Sequence, residues 1–491
     1  MNDIISQKKD ACSPIYGFSN EMNQTPSISD PSVDIFLYDL YSGLGKSEQD
    51  ISSDRRRFWN RIYDENYIEQ NLEAFKKKER DFSNYIELLD SQIKPFDAPL
   101  DGYYYPVKLG DTLALQINCT GRNNDPDREQ NSTAQRFIEL QKFVRIIDNH
   151  TTKTPAQLGQ SWLFLGQIDS ATQDTKEIEK IAESCYKHLE ITKKINWKQD
   201  LIGRGIYQEA YFYELEQPDI ILDGENRTHH LLICLFPQYK TQTEIEKIIG
   251  DLYPDFMALF HYRSKILWVC EQSRTIKTTL KGASEDIKNM VENISKRLEN
   301  SQLDLKHLQK DLGNALEMSR LCGTHLSYFQ EYLMNLEINR KNYQNRLQWM
   351  RDRDNSTLCD LKFFETFANS TQYKTDQIEM DYKVLNEAIK PLNSFIQTIE
   401  GIIAIERIQN ERTLNNTIAI AGVGISVASL IASTIGQEES RIIIKQFVTI
   451  PEESISSFLQ ISLILFPLAM SIFLGIISAV LTSFLLRFFK K

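Results

Sequence analysis

Two apolar runs stand out at the C-terminal end of the chain. The first, Leu414 to Gly436, carries no charge; the second, Phe458 to Phe489, is uncharged as far as Arg487 and contains Pro467. At 1.5 Å per residue each is long enough to cross a hydrocarbon core of about 30 Å, so the pattern predicts two transmembrane helices. Arg407 and Arg412 precede the first run, Arg487, Lys490 and Lys491 close the second, and the segment 437–457 between them holds only Arg441 and Lys445. Basic residues are retained on the cytoplasmic side. Both termini are therefore expected inside and 437–457 outside, as in a multi-pass protein of the cytoplasmic (inner/plasma) membrane.

Upstream the apolar period changes to seven. Leu298, Leu305, Leu312, Ser319, Leu326, Leu333, Arg340 and Leu347 form one series, and Ser301, Leu308, Ala315, Cys322, Phe329, Leu336, Tyr343 and Met350 the other. Such a/d heptads predict coiled-coil packing, about 80 Å long if the helix is continuous. A second seam, Ile378, Tyr382, Leu385, Ile389, Leu392, Ile396, Ile399 and Ile403, follows a loop near 352–357 and contains Pro391. It leads toward the first apolar run without a Gly or Pro break after Gly401. A continuous helix there would couple a cytosolic body to the membrane; a passive coiled-coil spacer is the plainer alternative.

The remainder, 33–254, mixes periods. Asp34–Leu40, Tyr103–Asn118, Ser161–Ile168, Glu209–Leu215 and His229–Phe236 read as strands by their β-branched and aromatic content. Arg55–Leu89, Ala134–Ile147 and Thr175–Ile195 read as helices. The expected fold is thus an α/β cytosolic domain (33–254), a long helical coiled-coil stalk region (255–413) and two C-terminal transmembrane helices. A polar, disordered N-terminus is expected over 1–32, where no apolar core of a signal peptide occurs.

A net charge of −11 argues against nucleic acid as a partner, because phosphate binding needs a basic face. The seven cysteines include no CxxC pair and fit a reducing compartment better than a disulfide framework. Gly45-Lys46-Ser47 matches the end of a P-loop, but Leu40 stands where the pattern needs glycine, so a loop lysine is expected. No HExxH or GxSxG pattern occurs. No enzymatic activity and no cofactor are expected, and no metal site is assigned.

Candidate function gathers at the membrane. Gly422, Ser426, Ser429 and Ser433 share one face of the first span and are candidate pore-lining residues; hydroxyls bonding back to their own helix are the alternative. Asn415 and Asn416 could form a polar constriction at the inner mouth or cap the junction. Gln437, Glu438 and Glu439 open the outer loop, where repeated carboxylates would attract cations. Small residues every four positions on both spans favour close helix approach in lipid.

The order of an α/β body, long helices (the last, Ile378–Arg412, stalk-like), spans 414–436 and 458–489, and the basic tip Arg487–Lys491 resembles the CorA-type magnesium channel superfamily. The resemblance implies a funnel-shaped homopentamer whose first spans line a pore, with a divalent cation as cargo. That family carries Gly-Met-Asn at the outer end of its first span. Here Ile435-Gly436-Gln437 shares only the glycine, so magnesium selectivity does not follow. The N-terminal stretches Leu37–Leu40, Arg55–Trp59 and Gly102–Pro106 resemble those of uncharacterised bacterial, including cyanobacterial, membrane proteins. A cation channel or transporter gated by its cytosolic domain is the leading expectation. A non-conducting membrane-anchored receptor or scaffold, or a ligand-triggered defence effector, is the alternative.

Overall fold

The computed structural model describes residues 28–43, 45–80, 83–97, 100–122, 156–168, 174–188, 196–218, 228–299, 305–354 and 358–409. Both expected spans, the outer loop between them and the helix expected at Ala134–Ile147 lie outside these residues. Among the described residues no helix is long and apolar enough to cross a membrane. The chain forms two compact units, one of 1–261 with 346–366, the other of 262–345 with 367–491. The first unit therefore extends past the expected boundary at 254 and takes in a later segment of chain.

The first unit is built on a nine-stranded sheet. Its elements are β1 (Ile28–Leu40), α1 (Glu48–Trp59), α2 (Glu65–Glu79), β2 (Tyr85–Glu87), β3 (Lys94–Pro95), β4 (Leu100–Leu109), β5 (Thr112–Arg122), β6 (Gly159–Ile168), α3 (Thr175–His188), α4 (Trp197–Asp200), β7 (Leu201–Tyr207), β8 (Ala210–Pro218) and β9 (Thr228–Phe236). The strand order is β2-β4-β5-β1-β6-β9-β8-β7, with β3 beside β4. The β6–β9 pair is parallel and the other pairs are antiparallel. The five expected strand regions are all present. β1 starts at Ile28, inside the stretch expected to be disordered. The single helix expected over Arg55–Leu89 is instead α1, α2 and the short β2, because Asp64 caps a new helix by accepting from the Tyr67 N–H at 2.9 Å.

Strand alternation sorts the sheet into two unlike faces. Ile35 and Leu37 of β1, Leu113, Leu115 and Ile117 of β5, Trp162 and Phe164 of β6, and Leu231, Ile233 and Leu235 of β9 are buried with Phe58, Trp59 and Phe75 of α1 and α2. Trp59 stacks on Phe75 with centroids 3.8 Å apart, and its indole N–H reaches Glu79 at 3.2 Å. The opposite face is equally buried but carries Asp34, Gln116, Asn118, Ser161, Glu214 and His230. It lies under the start of α5 (Gln242–Glu299), where Phe36 meets Phe260 edge-on at 5.3 Å and Tyr38 donates to the Met257 carbonyl at 2.9 Å.

Two turns show how sequence sets this sheet. Gly110 adopts φ +59 in the tight β4–β5 connection, a conformation other residues resist. The β7–β8 connection places Gln208 and Glu209 at φ +48 and +67, without glycine. Tertiary bonds hold it: the Gln208 N–H donates to Asp354 at 3.1 Å, and Glu209 accepts from Tyr239 at 2.9 Å and pairs with Lys240 at 3.0 Å.

The second unit contains the rest of α5, most of α6 (Leu305–Arg353) and most of α7 (Lys362–Gln409). Arg297 of α5 pairs with Asp311 of α6 at 2.7 Å. In one continuous helix these residues would stand about 21 Å apart. The expected single long helix is therefore a hairpin. Phe329 packs on Tyr382 and Ser319 contacts Asn393, so α6 and α7 run antiparallel. The predicted seam is present: Leu308, Ala315, Cys322, Phe329 and Leu336 are buried on α6, and Leu385, Leu392, Ile396, Ile399 and Ile403 on α7. Both Pro254 and Pro391 sit inside helices, and both helices continue through them.

Candidate functional site: a cavity at the strand ends

A cavity of about 340 Å³ opens in the first unit where the carboxyl ends of the parallel strands β6 and β9 meet the start of β1, the end of β5 and the first turns of α5. In open α/β sheets this is where ligands bind, because the chain diverges beyond the strand ends and leaves backbone and side-chain groups facing a crevice. Tyr103, Asn118, Thr120, Gln167, Phe236 and Tyr253 form its inner wall, and Asp30 and Glu246 stand at its edge.

Beneath the wall lies Asp34, fully buried on β1. Pairing of Asp34 with Asn118 across β1–β5 puts both side chains on the α5 face. One carboxylate oxygen accepts from Gln116 and Asn118, each at 2.9 Å, and the other accepts from Tyr253 at 3.0 Å. Asn118 also donates to the Tyr253 oxygen at 3.3 Å. Asn118 and Tyr253 themselves line the cavity, so a polar path leads from it to Asp34. Burial pushes the Asp34 carboxyl up from its ordinary 3.8 to about 6, against the lowering effect of its three donors. Burial likewise raises Tyr103 and Tyr253, with the Asp34 charge adding to the effect, so both hydroxyls keep their protons at neutral pH.

A second polar cluster lies on the same face. Ser161, His230 and Glu214 come from adjacent strands β6, β9 and β8, with 2.9 Å between Ser161 Oγ and His230 Nδ1 and 3.0 Å between His230 Nε2 and Glu214. In the Nε2–H tautomer, Ser161 donates to the ring and the ring donates to Glu214. This is a Ser–His–acid line with the imidazole turned the opposite way from the hydrolase template. Ser161 is 1% exposed and Phe260 packs edge-on against the ring at 5.0 Å. None of the three lines the cavity. With no path for a substrate carbonyl to Ser161, the arrangement here is a buried hydrogen-bond network set apart from the cavity.

The remaining sequence-derived candidates separate clearly. Lys46 bonds to Asp54 and to the Leu40 carbonyl, and Ser47 caps α1 with a reciprocal bond to Asp50, so the Gly45-Lys46-Ser47 stretch is a loop leading into a capped helix. His261 contacts Thr112 at 3.0 Å. Among the described residues no group of three or more His, Cys, Asp or Glu is placed to hold a metal ion. Asn415, Asn416, Gly422, Ser426, Ser429, Ser433, Gln437, Glu438 and Glu439 all lie outside the described residues. Sequence reasoning missed the Asp34 site altogether. Its only signal was an aspartate at the head of a largely apolar strand stretch, DIFLYDL.

Comparison of the chain with protein-family models, with curated proteins and with solved structures finds no match.

Proposed function

We propose that the chain is a homo-oligomeric membrane channel or transporter for cations with a CorA-like layout, in which the sheet unit receives a signal and α7 carries it to the membrane. The observation that carries this reading is continuity. Helix α7 is formed as far as Gln409, and only 410–413 separate it from the apolar run that begins at Leu414. The order of sheet unit, three long helices and two closely spaced apolar runs supports the same reading. Pore-lining is assigned to the Gly422, Ser426, Ser429 and Ser433 face, with Asn415 and Asn416 at the inner mouth and Gln437, Glu438 and Glu439 at the outer one. Assembly with further copies is supported by an apolar stripe on α7, where Tyr373, Met380 and Val384 share one helical face and are 75%, 56% and 62% exposed.

The test is ion flux into liposomes carrying the purified chain, with Mg²⁺, K⁺ and Na⁺ measured against empty liposomes. Flux that Ser429→Trp abolishes is the expected result. Absence of flux from correctly assembled oligomers across all three ions and with candidate ligands added would overturn conduction and leave a membrane-anchored scaffold.

A further inference from the structure

We infer that the cavity at the ends of β6 and β9 is a binding site for a small organic ammonium cation. The inference stands whether or not the chain conducts ions, since it concerns binding to the sheet unit alone.

The first argument is the direction of the hydrogen bonds. Five polar side chains in the wall turn their donors away from the cavity. Gln167 Nε2 is committed to the carbonyls of Pro237, Gln238 and Lys240 at 3.2, 3.2 and 2.6 Å. Asn118 Nδ2 donates to Asp34 and Tyr253, and the Tyr253 proton is given to Asp34. Thr120 donates to Asp101 at 2.8 Å, and Gln242 donates to Glu246 at 3.3 Å. What these groups keep for an occupant is oxygen lone pairs. The backbone adds another: Pro254 has no N–H, so the carbonyl of Gly250 in the cavity wall lacks its helical donor. An acceptor-lined cavity selects a ligand rich in N–H donors.

The second argument is charge. Glu246 stands at the edge, Asp34 lies behind the wall, and among the described residues no lysine, arginine or histidine lines the cavity. That arrangement attracts a cation and repels an anion. The third is the nature of the surface. Tyr103, Tyr253 and Phe236 give it aromatic walls, which favour an alkylammonium over a hydrated metal ion. A bare metal would also need several converging carboxylates or imidazoles, and among the described residues no such group exists. At about 340 Å³ the cavity matches a small molecule.

The probe is butane-1,4-diamine, doubly charged at pH 7.5, titrated calorimetrically into the purified full-length protein. Butane-1,4-diol serves as the uncharged isostere and magnesium chloride as the metal control at equal ionic strength. The expected result is saturable diamine binding, at least about a hundredfold tighter than the diol. Glu246→Gln is expected to weaken it about tenfold. Glu246 is exposed, so the change does not endanger the fold. Equal binding of diol and diamine, no saturation up to about 10 mM diamine, competitive displacement by Mg²⁺, or unchanged affinity in the variant would each overturn the assignment.

Discussion

Replacing Asp34 by asparagine should stabilise this protein at neutral pH. Asp34 is fully buried and its carboxyl ionises at about 6 in the fold against an ordinary 3.8. A tenfold change in an ionisation constant corresponds to about 1.4 kcal/mol, so keeping this carboxylate charged costs the fold about 3 kcal/mol. The sign follows from proton linkage. Between pH 3.8 and about 6 the folded chain holds a proton that the unfolded chain has released. Stability attributable to this group therefore falls as pH rises through that window, and the whole cost is present above it. Below 3.8 both states are protonated and the cost disappears. Asparagine fits the same bonds: its carbonyl accepts from Gln116 and Asn118, and its amide donates to Tyr253, whose proton turns toward Tyr103. The assay is thermal unfolding of the full-length chain and of Asp34→Asn, followed by tryptophan fluorescence between pH 4 and 8. The variant should be more stable by up to about 3 kcal/mol at pH 7.5, with the difference shrinking toward zero near pH 4. A variant that is less stable at pH 7.5, or a difference that does not vary with pH, would refute the reasoning.

Three further outcomes are expected. Arg61 is wholly buried and bonded to Asp39, itself 1% exposed, so Arg61→Ala leaves a buried charge short of its partner and should cost about 3–5 kcal/mol by chemical denaturation. Gly205→Ala would place a Cβ 2.1 Å from the Asp360 carbonyl and 2.5 Å from the Phe363 ring, and should cost about 3 kcal/mol; Gly110→Ala, with open space but φ +59, should cost only about 1 kcal/mol in the same melt. Met380→Glu with Val384→Glu on the exposed α7 stripe should lower the oligomeric mass seen by light scattering without lowering the melting temperature.

Legibility in the sequence followed the physical origin of each element. The heptad seams were readable because a period of seven repeats over many turns, and Phe329, Leu336 and Leu392 are buried where it puts them. The hairpin between α5 and α6 was not, since the seam runs unbroken in sequence from Leu298 to Leu305 and the reversal shows only in contacts such as Arg297–Asp311 and Trp268–Tyr332. Strand β7 was missed for two reasons. Its LIGRGIY sequence contains two glycines, poor strand formers, and its turn lacks the Asn-Gly that marks a tight hairpin. The glycines answer to something distant: at Gly203 a Cβ would lie 2.4 Å from that of Phe363, and β7 bonds to Asp360 through Ile206. Asp34 and His230 were invisible as sites because their partners sit on strands far away in sequence.

The two faces of the sheet differ in a way that stability alone does not explain. The face under α1 and α2 is apolar over Ile35, Leu37, Leu113, Leu115 and Ile117, and its buried charges pair with one another, Arg61 with Asp39 and Arg55 with Glu79. The face under α5 buries Asp34, Gln116, Asn118, Ser161, Glu214 and His230, each needing a hydrogen-bonding partner that an apolar residue would not. Ser161, His230 and Glu214 bond to one another, and none of them lines the cavity. The Asp34 cluster reaches the cavity through Asn118 and Tyr253, and its carboxylate is charged at neutral pH at a cost that asparagine would remove. A destabilising charge retained at the blind end of a polar chain that opens into an acceptor-lined cavity is the arrangement expected of a ligand site. On this argument the cavity, rather than the Ser–His–Glu line, is the place for the proposed ammonium ligand. The diamine titration and the Asp34→Asn melt test the two halves of that argument separately.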